Sequence, residues 1–256
     1  MTDEDRVRHR QGLARIRRGI PYPDPRSTLS LLPNAAVGEW LADVRDCFQG
    51  DLLDAGAGNQ PYRPFYEPLV RSVIAVDATD AEGLAALALV DHLPFKDATF
   101  DTVLSTEVWE HVEDADKAAA ETFRVLRPGG RLIITVPFLY PTHEAPYDFG
   151  RFTPFGLQSV LRRAGFEVER VDSKGGPLLW AAHFTVLATS QAVDAVGRKV
   201  GFRKKSLTSR RGIRGIFTVP QTAAIRLRYK LRGTRRGLGK GAGRISLGYF
   251  AVARKP

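Results

Sequence analysis

The sequence predicts an α/β protein built on an open, doubly wound, mainly parallel sheet. Three observations carry this. Short apolar runs (DLLDAG, RSVIAVDA, FDTVLS, RLIITVPF) alternate with helical patterns between residues 51 and 138. Strands that alternate with helices imply parallel pairing through crossovers. The first run ends in Asp54-Ala55-Gly56-Ala57-Gly58, and a glycine turn at the carboxyl end of a strand is where such sheets bind ligands. With 256 residues, 43% hydrophobic and 26% charged, the chain can bury a core.

The elements follow in order. Residues 1–26 read as a flexible basic tail, since IPYPDPRS carries three prolines that oppose regular structure. A helix is expected from about Asn34 to Phe48, before Gly50. The four runs are strands, and RLIITVPF is the clearest, being β-branched and bounded by GG and Pro. Ala115–Leu126 is a helix closing at RPGG, read as a cap and turn. Thr153 is the expected N-cap of the next helix, with Pro154 at its first position. That helix ends at Ala164-Gly165, and FEVERVDS follows as a strand. After Gly175-Gly176 the character changes. Leu178–Val193 is an apolar helix, residues 198–215 are basic, Gln221–Leu231 is a short cationic helix, and 233–243 is a Gly/Arg/Lys loop. ISLGYFAVARKP closes as a strand. Residues 27–176 with 246–256 are thus expected to form the core, and 177–245 a helical basic insertion.

Charge is divided unevenly. Residues 1–197 hold 20 Lys and Arg against all 28 acids, a net of −8, while residues 198–256 hold 18 Lys and Arg and no acid. An acidic body with a basic end suggests a polyanion or an anionic membrane as partner of that end. The single cysteine, Cys47, excludes an internal disulfide and a cysteine-rich zinc site. It fits a reducing compartment, and the polar N-terminus lacks the apolar stretch of a secretion signal. A cytoplasmic location is therefore expected. The uncharged stretch Gly175–Val193 is at the short edge of a spanning length and too polar for a membrane span.

The glycine loop is not GxGxxG, because Pro61 stands at the third glycine position. A phosphate cradle, and with it a nicotinamide oxidoreductase, is disfavoured. The acid before the glycines suits a ligand carrying an amine. Asp77, about twenty residues further on, ends the second strand, where a carboxylate can accept ribose hydroxyls. The pair favours a nucleoside ligand without a pyrophosphate.

Asp54-Ala-Gly-Ala-Gly, VIAVDA, LPFKDATFDTVLSTEVWEHV, FRVLRPGG and RLIITVPF, in that order, resemble the class I S-adenosylmethionine-dependent methyltransferases. The resemblance covers roughly residues 50–175 plus the last strand. It implies a Rossmann-like seven-stranded sheet whose last strand, Ser246–Arg254, inserts antiparallel beside the sixth. It also implies S-adenosylmethionine as cofactor. Asp54, Ala55, Gly56 and Gly58 would surround its methionine part, and Asp77 with Ala78 its ribose. Asp91, His92 and Leu93 would lie beside the adenine, and Thr106 and Glu107 near the sulfonium. The acid often found four positions before the LPF leucine is here Leu89, which shifts the adenine contact towards backbone groups. Glu110 and His111 match the family's EH pair, which serves either a hydrogen-bond network at a helix start or catalysis. The loop HEAPYDFGRFTPFGLQSVLRRAGF resembles a subgroup of bacterial glycan and natural-product pathways.

Methyl transfer from a sulfonium is an in-line displacement from an activated leaving group, so positioning supplies much of the rate. A hydroxyl acceptor also needs a base. The loop after the RLIITVPF strand holds His143, Glu144, Tyr147, Asp148 and Arg151. His143 is the first choice for base, since an imidazole titrates near neutrality. Asp148 or Glu144 would orient it, and Arg151 would bind an anionic group of the substrate. The alternative is a loop tied down by its own ion pairs. No metal is expected, because the cofactor chemistry does not demand one; His143, Glu144 and Asp148 are the set that could hold one.

The leading expectation is therefore methyl transfer to an oxygen of a small-molecule, glycan or lipid-linked acceptor. An RNA methyltransferase is the second reading, weakened by the sparse aromatics among the basic residues. A non-catalytic cofactor-binding scaffold is the third. Residues 177–245, with apolar residues flanked by cations, suit an anionic membrane surface, or else a cap over the site or a dimer contact.

Overall fold

The computed structural model describes residues 31–199 and 246–256. The N-terminal tail 1–26, the basic stretch 200–215, the cationic helix Gln221–Leu231 and the loop 233–243 lie outside these residues.

Helix α1 (Leu31–Asp43) precedes β1 (Asp51–Ala55). One short helix, α2 (Arg63–Tyr66), leads to β2 (Ser72–Asp77) and the two-residue β3 (Ala86–Leu87). Then come β4 (Phe100–Thr106), α3 (Ala115–Val125), β5 (Leu126–Pro137), α4 (Pro154–Arg163) and β6 (Glu167–Ser173). Helix α5 (Pro177–Lys199) and β7 (Gly248–Arg254) complete the described chain. The seven strands form one sheet in the order β3-β2-β1-β4-β5-β7-β6. β1 pairs parallel with both β2 and β4, and β7 pairs antiparallel with β5 and β6. The expected sheet, with its antiparallel last strand, is what the chain forms.

Strand alternation builds the two layers. Leu53, Val103, Leu132 and Ile134 face one side, where they pack with Ala118 and Ala119 of α3 and Leu157 and Leu161 of α4. Leu52, Leu104, Ile133 and Phe250 face the other, against Val37, Trp40 and Leu41 of α1 and Leu179 of α5. Trp40 stacks on Phe250 at 4.7 Å, and its indole N–H donates to Asp172 Oδ2 at 2.9 Å. Asp114 caps α3 through Lys117 N at 3.1 Å, and Thr153 caps α4 through Gly156 N at 3.0 Å.

Three local expectations change. The helix over Asn34–Phe48 stops at Asp43, and Arg45–Cys47 is a single 3-10 turn. RPGG is not a separate turn after α3. It forms the first part of β5, with Gly129 at φ +81° and a register shift between Phe100 and Thr102. Lys255 holds it there: Gly129 N donates to Lys255 O at 2.8 Å, and Lys255 N to Gly130 O at 2.9 Å. Helix α5 runs past Val193 to Lys199. Among the described residues no helix is long and apolar enough to cross a membrane.

Candidate functional site

The order of strands reverses between β1 and β4, and the carboxyl ends of β1, β2, β4 and β5 meet there, the usual ligand crevice of such sheets. The loop after β1 crosses it. Gly56 N and Ala57 N donate to Val76 O at 2.9 and 3.0 Å. Gly56 has φ +83°, and a Cβ there would come within 2.3 Å of Val108. Only glycine serves at that position. Gly58 N donates to Asp77 Oδ2 at 2.8 Å, while Asp77 Oδ1 accepts from Thr79 N and Oγ1 at 2.7 Å. Each Asp77 oxygen keeps lone-pair capacity for a further donor. Ala78, next along, is buried.

Asp54 ends inside the crevice wall. Its Oδ2 accepts from the Tyr66 hydroxyl at 2.5 Å. Its Oδ1 is buried with no hydrogen-bond partner. Burial pushes the carboxyl up to about 7, although the Tyr66 hydroxyl pulls the other way. A buried acceptor that lacks a donor is costly, so this atom fits a ligand ammonium.

Leu89 to Phe95 form the next wall. Leu93 is buried and Asp91 is 4% exposed, whereas His92 points outward, with its Nδ1 2.8 Å from Lys117 Nζ. The loop is clamped from α3. Glu121 accepts from Leu93 N at 2.9 Å, and Arg124 donates to Leu93 O at 3.0 Å, to Phe95 O at 2.7 Å and to Glu121. The LPF and FRVLRPGG segments are thus two halves of one clamp.

Thr106 ends β4. Glu107 follows at φ +56°, its N–H on Thr135 O at 3.0 Å. Its carboxylate accepts from Thr135 Oγ1 at 2.8 Å and from Lys174 Nζ at 2.5 Å. Lys174 is 1% exposed and stands just after β6. Sequence reasoning missed this partner, although a lysine between a strand and Gly175-Gly176 was the available signal.

The loop after β5, residues 139–151, is pinned to the turn Trp109–His111. Phe149 N donates to Glu110 O at 2.7 Å, and His111 Nδ1 lies 2.5 Å from Tyr147 O. Of the EH pair, His111 makes this contact through its ring, and Glu110 through its backbone carbonyl alone. Asp148 is held by a two-pronged contact with Arg151 and by His143 N at 2.9 Å. Burial would raise the Asp148 carboxyl, but the Arg151 guanidinium outweighs it and holds it at about 2. Arg151 also donates to Gly150 O at 2.7 Å and to Pro141 O at 3.3 Å. Asp148 and Arg151 therefore tie the loop together, as in the alternative reading, and Asp148 Oδ2 also sits 3.4 Å from His143 Nδ1. Glu144, at φ +55°, lies in the same loop.

The set His143, Glu144 and Asp148 is not the one whose ligand atoms converge. Among the described residues, Glu110, His111 and His143 bring theirs within 4.8 Å of one another. Glu110 is fully buried, and neither carboxylate oxygen has a hydrogen-bond partner. Burial, with Glu107 nearby, raises its carboxyl well above the usual range. Tyr140 stands 5.1 Å from the His143 ring and 5.8 Å from that of His183, a buried residue of α5. Burial lowers His183 to about 4, with Lys174 adding to it.

Comparison with known proteins agrees with this geometry. Residues 53–134 match the family model described as a methyltransferase domain. A Mycolicibacterium smegmatis protein described as a probable S-adenosylmethionine-dependent methyltransferase is 33% identical over 144 residues, 48% of this chain and 54% of that one. A demethylmenaquinone methyltransferase of Streptomyces avermitilis is 34% identical over 113 residues, 44% of this chain and 39% of that one. The chain spans about half the length of these relatives, or less. Among solved structures, a geranyl diphosphate methyltransferase superposes with TM-score 0.53 at 14% identity, covering 86% of this chain and 77% of that one. The [4+2]-cyclase SpnF superposes with TM-score 0.53 at 18% identity, covering 87% and 81%. At such identities the likeness concerns the fold alone. The matched domain, the sheet order and the glycine loop agree: residues 53–134 carry a methyltransferase domain, and the chain is similar to S-adenosylmethionine-dependent methyltransferases.

Proposed function

We propose that the chain moves a methyl group from S-adenosylmethionine to an oxygen of a small-molecule, glycan or lipid-linked acceptor. The observation that carries the cofactor half is the buried Asp54 Oδ1, which lacks a donor at the mouth of the glycine loop. In this reading Asp54 receives the cofactor ammonium. Asp77 accepts from the ribose, and the backbone around Asp91 and Leu93 borders the adenine. The bound cofactor supplies an electrophilic methyl on a sulfonium. Glu107, fixed by Thr135 and Lys174, closes the crevice near it. His143 takes the acceptor proton, with Asp148 behind its Nδ1. The loop's docking on Glu110 and His111 excludes water from the transfer.

A carbon acceptor is the second reading, favoured by the relative named as a demethylmenaquinone methyltransferase. Incubating cell extracts with the protein and isotopically methyl-labelled cofactor, followed by mass spectrometry, tests both. Label recovered in a hydroxyl-derived methyl ether supports the first, and a methyl on a ring carbon the second. Calorimetry showing tighter binding of NAD than of S-adenosylhomocysteine would overturn both. For residues 177–245 the proposed partner is an anionic membrane surface, because residues 198–256 carry 18 basic residues and no acid. A cytoplasmic, membrane-peripheral location goes with that proposal.

A further inference from the structure

We infer that Glu110, His111 and His143 form a binding site for one divalent first-row transition-metal cation. One carboxylate oxygen and one nitrogen from each ring lie within 4.8 Å of one another. The His111 and His143 rings meet edge to face at 4.7 Å. Glu110 Oε1 stands 3.7 Å from His111 Nε2. Tetrahedral ligands on bonds of about 2.1 Å are themselves about 3.4 Å apart, so small side-chain shifts complete the set.

Three further features point to a cation. Glu110 is 0% exposed, and both its oxygens lack a hydrogen-bond partner. The nearby positive charges are each committed to another acid. Lys174 is bonded to Glu107, and Arg151 to Asp148 and loop carbonyls. A dication would give Glu110 the partner its oxygens lack and compensate the charge of its ionised form. The histidines are also oriented as ligands are. Tyr147 O can only accept, so His111 Nδ1 carries the proton and Nε2 the lone pair, facing Glu110. His143 Nδ1 faces Pro141 O at 3.3 Å and Asp148 Oδ2 at 3.4 Å, the acceptors that fix a ligating imidazole from behind. Two imidazoles and one carboxylate, with positions left open, suit a transition metal better than Mg²⁺ or Ca²⁺. His143, partly exposed while the other two are buried, marks the side of entry.

The cation's role rests on reading this loop as the acceptor side. A hydroxyl bound to the cation would ionise more readily, and His143 would then hold the cation rather than take the proton. The site itself is independent of that reading. The test uses the full chain without cofactor or acceptor, titrated with Co²⁺ by visible absorption and with Mn²⁺ by electron paramagnetic resonance. Saturable binding of one equivalent is expected. Glu110→Gln and His143→Ala should each weaken it more than about 10-fold, with S-adenosylhomocysteine affinity unchanged in His143→Ala. No saturable binding of either ion, or binding that survives both substitutions, overturns the proposal. Cation binding without methyl transfer to any acceptor would keep the site and remove the proposed reaction. Methyl transfer by a chain that binds no cation would do the reverse.

Discussion

Replacing Asp54 by Asn should remove a pH dependence that the wild-type crevice builds in. Burial holds the Asp54 carboxyl at about 7, so near pH 6 it is mostly protonated in the ligand-free protein. An ammonium needs the carboxylate. Below pH 7 each unit of acid therefore cuts the competent fraction about tenfold, worth about 1.4 kcal/mol. From pH 5 to 7 the affinity for S-adenosylhomocysteine should rise about 50-fold, roughly 2.3 kcal/mol, and then level off within about a further twofold. Isothermal calorimetry in buffers of different ionisation heat measures both this slope and the proton released near pH 6. The Asp54→Asn chain should bind weakly with a flat profile. Stability moves the other way. The folded pKa lies above the ordinary value of 3.8, so this group's contribution is present below about pH 4 and is lost as pH rises through about 7. The ligand-free Asn variant should not show that loss. A flat wild-type slope between pH 5 and 7, or an equal slope in the variant, would refute the reasoning.

Three other outcomes are expected. His143→Ala should lower kcat by about 10²–10⁴-fold while leaving cofactor affinity unchanged; a fall in cofactor binding with kcat intact would make it a lid residue. Arg124→Met removes the donors to Leu93 O and Phe95 O, and urea unfolding should show a loss of about 2–3 kcal/mol, with weaker cofactor binding from the loosened adenine wall. Trp40→Ala empties a fully buried position and should cost about 3–5 kcal/mol; a loss below about 1 kcal/mol by the same measurement would mean that α1 adds little to its layer.

The sheet was legible because its strands are short, apolar and β-branched, and because the glycine loop and the capping Thr153 act within a few residues of chain. Strand β3 was not, since two residues carry no period. RPGG read as a turn because the residue that straightens it, Lys255, lies far along the chain. Around the glycine loop the carboxylates Asp54 and Asp77 were visible in the sequence, but the Tyr66 contact and the orphaned Oδ1 come from packing. In the loop after β5 and the turns around it the residue types were visible and their partners were not. Glu107 meets Lys174, Arg151 turns back on Asp148, and His143 joins Glu110 and His111. Each of these pairings depends on which loop lands on which strand end, and no local pattern encodes that.

The place of β7 has a consequence for how the chain acquires its shape. Ser173 pairs with Tyr249, and Pro137 with Gly248. β5 and β6 are therefore joined in sequence by α4 but have no backbone ladder until a much later segment slides between them. On a ribosome, β6 must wait as an unsatisfied edge while the whole basic stretch is synthesised. Closure of that gap is a non-local event, slow by the measure of contact separation. During this interval the waiting edge is open to pairing with another chain. Refolding yield should therefore fall with protein concentration, and substitutions in β7 should lower yield more than they lower the stability of molecules that have closed.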